Sequence, residues 1–403
     1  MRVSFAIAGI IVLAITSNLG AQPQYEITDL GGAGELGTTH AYGINSQEQV
    51  VGESSPLFGG SSPFLWENGV MIDLGTLEGA SYAKAFAIND SAQVTGSTDS
   101  RAFLWDSGEL IDLGLLPGAT QTFALDINDA GQVTGYSGDN GNSDPPWHAF
   151  IWEDGVMTDL GAPDGFFTTW GRGINNLGQV VGNMYFEGTA DHHAFLYSEG
   201  VWSDLGTLGD DALSQAEGIN DFGQIVGWSR EMPGTPWRPF LWEDGEMALL
   251  DVPRDFEYAL PLAINNAGSI VGYGDRETGG IRAVVWIEGT MYDLNDLVVS
   301  GGAWQELTIA DDINDAGQIV GLGENPDGDT HAFLLTPIVK APCDGDANAD
   351  GTVDPLDSGF VLARFGCPVG TGDPDCDAAD QNADGEVNPL DAGFVLARFG
   401  KCE

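Results

Sequence analysis

The sequence predicts an all-β fold, a seven-bladed β-propeller running from about Tyr25 to Pro337. Three observations predict it. A ten-residue stretch, "DINDAGQVTG" from Asp126, has close relatives that begin at Gly43, Ala87, Gly173, Gly218, Ala263 and Asp312. Their shared asparagines are Asn45, Asn89, Asn128, Asn175, Asn220, Asn265 and Asn314, separated by 44, 39, 47, 45, 45 and 49 residues. A strand-rich period near 45 is the range of propeller blades. Each copy is followed by a second motif such as "HAFIWEDG" at His148, and then by a third such as "DLG" at Asp159. Finally, the array begins with an isolated third motif, "YEITDLG" at Tyr25, and ends with an isolated second motif, "HAFLLTP" at His331.

Each element can be justified in order. The short segment before each Ile-Asn alternates small and apolar residues and reads as a first strand. Gln-Val-Val-Gly reads as a second. The three residues between, such as Asp129-Ala130-Gly131, suit a hairpin whose glycine takes the left-handed conformation and forms a bulge. The asparagine side chain is suited to accept a backbone N–H at that turn. His-Ala-Phe-Leu-Trp is a third strand, Glu-Asp-Gly a tight turn, and Val-Met-Thr-Asp-Leu a fourth strand. The N-terminal strand then completes the seventh blade and closes the ring.

Within this pattern the seven asparagines read as structural, because catalysis needs a residue once rather than in every blade. Trp66, Trp105, Trp152, Tyr197, Trp242 and Trp286 share one strand position, where large rings fill the space between adjacent blades. Arg101, His148, His193, Arg238, Arg282 and His331 open the third strands, with Pro63 in the first blade. Each is placed to pair with a carboxylate, such as the aspartate of a "DLG". "DHH" at Asp191 is a weak metal pattern. Two acidic, glycine-rich loops, at Ser137 and Glu324, lie between second and third strands, on a rim suited to binding.

The alternation of "HAFLW…G…DLG" with "GIN-D-x-G-Q-V-V-G" resembles the extracellular repeats called the HAF family. That resemblance implies a secreted repeat protein and carries over no catalytic residue.

Composition narrows the function. Sixty-one acidic and 13 basic residues give a formal net charge of −48. This excludes nucleic acid, which requires clustered Lys and Arg, and disfavours an anionic membrane surface. It favours solubility and divalent cations. The sequence contains no G-x-S-x-G elbow, H-E-x-x-H or phosphate loop. Carboxylates are too abundant for any pair to signal glycoside chemistry. Residues 1–21 read as a signal peptide: a short positive start, an apolar run from Val3 to Thr16, and a small-residue cleavage region ending at Ala21. No later run is long enough to span a membrane. A secreted monomer without a membrane span is expected.

The C-terminal end carries the metal chemistry. A linker at 338–342 leads to a small domain at 343–403. "DANADGTVDPLD" places Asp346, Asn348, Asp350, Gly351, Thr352, Asp354 and Asp357 at positions 1, 3, 5, 6, 7, 9 and 12 of a calcium loop. A second copy 34 residues on places Asp380, Asn382, Asp384, Gly385, Glu386, Asn388 and Asp391 likewise. Position 7 contributes its backbone carbonyl, so Thr352 and Glu386 need not ligate through their side chains. Two bound calcium ions are expected. Each loop precedes a helical "GFVLARFG" stretch. Loop then helix, duplicated, resembles a type I dockerin domain. The resemblance implies calcium-dependent docking to a cohesin-like scaffold or cell-surface protein through Pro355-Leu356 and Pro389-Leu390, in either of two orientations. These positions are apolar rather than hydroxylated, which puts the usual clostridial cohesins in doubt.

Cys343, Cys367, Cys376 and Cys402 bracket the two copies, and a secreted chain predicts two disulfides. Cys343–Cys402 with Cys367–Cys376 is favoured; pairing within each copy is the rival.

Two functions remain from this reading. The leading one is a non-catalytic interaction protein whose propeller rim binds a protein or glycan. The alternative is a polysaccharide-degrading enzyme, a glycoside hydrolase or lyase, attached through its dockerin-like tail.

Overall fold

A computed structural model describes residues 23–32, 37–55, 60–139, 146–302 and 304–338. The proposed signal peptide, calcium loops, docking positions and cysteines all lie outside the described residues.

Gln24–Pro337 forms one compact unit of seven sheets. Blade one sets the pattern, with strands Thr38–Ile44, Val50–Ser55, Ser62–Glu67 and Val70–Asp73 adjacent in chain order. Blades two to six occupy 83–112, 121–161, 166–206, 213–249 and 256–293, in the same order. The first strands of successive blades touch in an unbroken cycle, from Thr38–Ile44 round to Glu306–Ile313 and back. They therefore surround the axis, and the fourth strands form the rim.

The seventh sheet closes as expected. Tyr25–Asp29 lies antiparallel to Thr330–Pro337, pairing Tyr25 with Pro337 and Asp29 with Phe333. An unexpected short strand, Val298–Ser300, runs parallel to Tyr25–Asp29 on its outer side, so this sheet has five strands.

Two glycine positions explain the regularity. Gly131 has φ +80°, and its N–H donates to the Asn128 carbonyl at 3.0 Å, closing the three-residue hairpin. The second is the glycine that ends Gln-Val-Val-Gly. A Cβ at Gly52 would collide with the carbonyl oxygen of His40 across the sheet, and Gly96, Gly135, Gly182, Gly227, Gly272 and Gly321 stand in the same relation to their own first strands. That crowding accompanies a bulge in every first strand, between Ala41 and Gly43 in blade one and at the equivalent place in the other six.

The core lies between blades. Phe64, Phe103, Phe150, Phe195, Phe240 and Phe333, one per third strand, are at most 1% exposed, and Val284 takes the place in blade six. Trp66 packs on a cluster shared by blades one and seven, and Trp105 on one shared by blades one and two. These rings are core filling, as expected. No helix among the described residues is long and apolar enough to cross a membrane.

Candidate functional site in the axial channel

The asparagines do more than cap their turns. Asn128 Oδ1 accepts from the Gln132 N–H at 3.0 Å, which is the expected local bond. Its Nδ2 donates to the Asn175 carbonyl of the next blade at 2.9 Å. The same link joins Asn45 to Asn89, Asn89 to Asn128, Asn175 to Asn220, Asn220 to Asn265, Asn265 to Asn314 and Asn314 to Asn45. Seven buried side chains thus form a closed hydrogen-bonded ring at one mouth of the channel.

The next residues form a second, more exposed belt. Asp90 accepts from the Ser46 N–H, Asp129 from Asp90, Asn176 from Asp129, Asp221 from Asn176, Asn266 from Asp221 and Asp315 from Asn266. Inside these belts lies a cavity of about 230 Å³, floored by the seven isoleucines that precede the asparagines. The repeated carboxylates are engaged by backbone N–H groups, and the described residues hold no cluster suited to a metal ion.

Two half-buried aspartates break the repeat. Asp126 and Asp312 stand where the other blades have Gly or Ala. Asp126 accepts the Ile127 and Ile174 N–H groups, each at 2.8 Å, and Asp312 accepts Ile313 and Ile44 at 2.8 and 2.9 Å. Burial pushes Asp126 up to about 7 and Asp312 up to about 6, against the lowering effect of those N–H bonds. The charge of Asp312, on the non-adjacent blade seven, adds to the rise at Asp126 in blade three.

The channel diversifies at the bulges, about 10 Å along the first strands from the asparagines. The bulged residues are Tyr42, Phe86, Leu125, Arg172, Glu217, Leu262 and Asp311, all half-buried. No single chemistry repeats among them. Arg172 Nη1 pairs with Glu217 Oε2 at 3.0 Å, and His40 Nε2 meets Asp311 Oδ2 at 2.7 Å. Lys84 Nζ reaches Glu53 Oε1 at 2.7 Å and the Tyr42 hydroxyl at 2.9 Å. Burial opposes the Lys84 charge, but its bonds to Glu53 and Tyr42 outweigh burial and hold the ammonium protonated. Burial likewise raises the Tyr42 hydroxyl above its usual range.

Aromatic rings cluster beside these groups. Tyr136 stacks on Trp170 at 5.1 Å, Trp170 meets Tyr185 at 5.2 Å, and Trp237 meets Tyr258 at 4.8 Å. The sequence reading missed this layer. Its signal was variability: the residue three places before each asparagine, and the one after each Val-Gly, change in blades that otherwise repeat.

The third-strand openers are structural pairs. His148 meets Asp159, His193 meets Asp204 and Arg101 meets Asp112, at 2.8–2.9 Å, each within its own blade, and His331 meets Asp29 across the closure at 2.8 Å. The "DHH" pattern is thereby divided, with His193 on Asp204 and His192 turned into the aromatic cluster beside Tyr185. In the loop after Glu324, Asn325 closes a hairpin of the Asn128 type, donating its N–H to Asp329 and accepting from Gly328.

The fold and channel define a closed propeller with one non-repeating axial layer. Residues 344–399 match the dockerin type I domain, so the chain carries a dockerin type I domain at its C-terminal end. Such domains bind calcium and dock to cohesin partners, typically in extracellular or cell-surface proteins. No curated protein matches the chain. Among solved structures, the chain is similar to a puromycin-hydrolysing peptidase of Mycobacterium tuberculosis, at 13% identity and a TM-score of 0.50. The likeness covers 78% of this chain and 56% of that one, so the chain spans about half the peptidase's length. The β-propeller domain of the Trilobed protease from Pyrococcus furiosus is 11% identical, with a TM-score of 0.48 over 74% of this chain and 93% of that one. These likenesses concern fold alone.

Proposed function

We propose that this is a secreted, non-catalytic docking protein. Its propeller presents a ligand-binding face, and its tail attaches it to a cohesin-like scaffold or cell-surface protein. The observation that carries the propeller half of this reading is the axial layer at the bulges, where Tyr42, Phe86, Leu125, Arg172, Glu217, Leu262 and Asp311 differ at equivalent positions. A purely structural ring would repeat that layer as it repeats the asparagines. The second-to-third-strand loops emerge at that end of the channel, because each second strand runs away from the asparagine hairpins.

The donor set of the tail fits calcium. Asp346, Asn348, Asp350, the Thr352 carbonyl and Asp357 would hold one ion. Asp380, Asn382, Asp384, the Glu386 carbonyl and Asp391 would hold the other. All are oxygen donors at the alternating positions a hard cation takes. The ions would order two loops too small to fold on a hydrophobic core alone. Pro355-Leu356 and Pro389-Leu390 would face the partner.

The test is capture of a cohesin module by the full chain in calcium and in chelator, with a parallel assay for polysaccharide turnover. Calcium-dependent capture without turnover supports the reading. Turnover that survives stringent purification overturns the non-catalytic part and favours the hydrolase or lyase alternative.

A further inference from the structure

Blades four and five carry polar atoms that the fold leaves unused. On blade five Arg230 Nε is buried without a hydrogen-bond partner, its guanidinium lying 5.2 Å over the Trp228 ring and 5.7 Å over Trp237. On blade four Trp170 Nε1, Asn183 Nδ2 and His192 Nε2 are likewise buried and unpartnered. Asn183 is 0% exposed and His192 is 7% exposed. Buried polar groups are ordinarily satisfied, and each exception calls for a missing partner. The three on blade four surround one ring. Tyr185 lies 5.2 Å from the Trp170 ring and 4.8 Å from His192. Trp170 is the cross-strand partner of Asn183.

Their chemistry is mixed. Trp170 Nε1 and Asn183 Nδ2 are donors; Asn183 Oδ1 is already taken by Arg172 Nε at 3.3 Å. His192 Nδ1 lies 3.3 Å from the Ala190 carbonyl, which can only accept, so the ring proton sits on Nδ1 and Nε2 is a bare acceptor. Burial lowers the His192 pKa and favours that neutral form. With Arg230 Nε the set is three donors and one acceptor: a bare anion leaves His192 Nε2 unanswered, and a cation leaves the donors unanswered. Arg172 and Glu217 already neutralise each other beside the cluster. A hydroxyl group both donates and accepts, and a ligand bearing several of them fits this set. Flat apolar faces stand alongside: Trp228 meets His192 edge-on at 5.7 Å, and the half-buried Trp237 lies 6.5 Å beyond Trp228. The net charge of −48 further opposes an anionic ligand.

We infer that the cluster around Tyr185, between blades four and five, is a carbohydrate subsite that takes a neutral, polyhydroxylated sugar ring, hydrogen-bonded by Trp170, Asn183 and His192. This rests on the reading of the propeller as a ligand-binding face and names the ligand class.

The test uses the full chain, with tryptophan fluorescence and calorimetry against neutral hexasaccharides of glucose, xylose and mannose, and against hexagalacturonate as the anionic arm. Binding of a neutral hexasaccharide is expected. Its Kd should rise about tenfold in Asn183→Leu and in Trp237→Ala, the latter with its urea midpoint unchanged. Binding of hexagalacturonate alone, or neutral binding indifferent to both substitutions, overturns the assignment. So does an absence of sugar binding, which leaves water as the occupant. The broader reading fails separately, if Trp237→Ala and Arg172→Ala also leave retention of every secreted protein by the propeller unchanged.

Discussion

Asn314 Nδ2 donates to the Asn45 carbonyl at 3.0 Å, joining residues 269 positions apart. This bond ties blade seven to blade one at the axis, as the Tyr25–Asp29 strand ties the same blade at the rim. The two closures protect different things: the axial link satisfies buried polar groups, and the rim strand covers a sheet edge.

The ring makes each asparagine costly to lose. Asn175→Ala strands the Leu177 and Gln179 N–H groups and removes one of the two donors to the Asn220 carbonyl, which keeps the Gly223 N–H. We expect a loss of about 2–3 kcal/mol in urea unfolding, since a buried group left unsatisfied costs about 1–3 kcal/mol. Asn176→Ala, one residue on but exposed, should cost under about 1 kcal/mol. Equal effects would show that the asparagine serves only its own turn.

Closure at the rim rests on buried apolar contact. Ile27 is 2% exposed and pairs with Leu335. Ile27→Ala should cost about 2–4 kcal/mol, the range for truncating a buried aliphatic side chain. Ile72→Ala, on the exposed face of blade one's fourth strand, should be nearly neutral. Removing Tyr25–Asp29 altogether should bare the edge of Thr330–Pro337 and drive association visible by light scattering.

Why the ring was legible and the candidate ligand site was not follows from the same repeats. Seven matching Ile-Asn pairs and unmatched motifs at the two ends specify blade number and closure, because a blade is a local unit. The Asn-to-Asn links needed the fold, since a turn asparagine and an inter-blade asparagine look alike in one copy. The glycine of Val-Gly was legible as a repeat but not as the partner of a bulge. Residues such as Arg172 and Asn183 carried no motif; they were visible only as departures from one. Val298–Ser300 was missed because three residues after an ordinary fourth strand carry no period of their own.

Asp126 and Asp312 give stability an unusual pH dependence. Asp126 and Asp312 hold protons more tightly folded, at about 7 and about 6, than at the unfolded value of 3.8. Their ionisation therefore opposes folding: stability falls as pH climbs from about 4 to about 7 and returns on acidification. Asp204 acts oppositely: burial raises its pKa, but His193 and the Gly206 N–H together more than offset this and the net shift is downward. Comparing wild type with Asp126→Ala/Asp312→Ala isolates the pair. Relative to wild type, the variant should gain in urea midpoint from pH 4 to pH 8. A difference independent of pH would mean both carboxyls ionise freely in the folded protein.

The tail's duplication leads to the last prediction. Under the proposed docking through the duplicated Pro-Leu pairs, either half should meet a partner while calcium keeps the domain folded. Full-length wild type should bind two calcium ions, and Asp384→Ala one, by calorimetry. Leu356→Asp alone should leave cohesin capture nearly intact, because Leu390 holds the same place in the second sequence copy. Leu390→Asp alone should behave likewise, and the double variant should lose capture without losing calcium. Chelator should abolish capture in every variant. If either single substitution removes capture, the halves are not interchangeable and docking has one orientation.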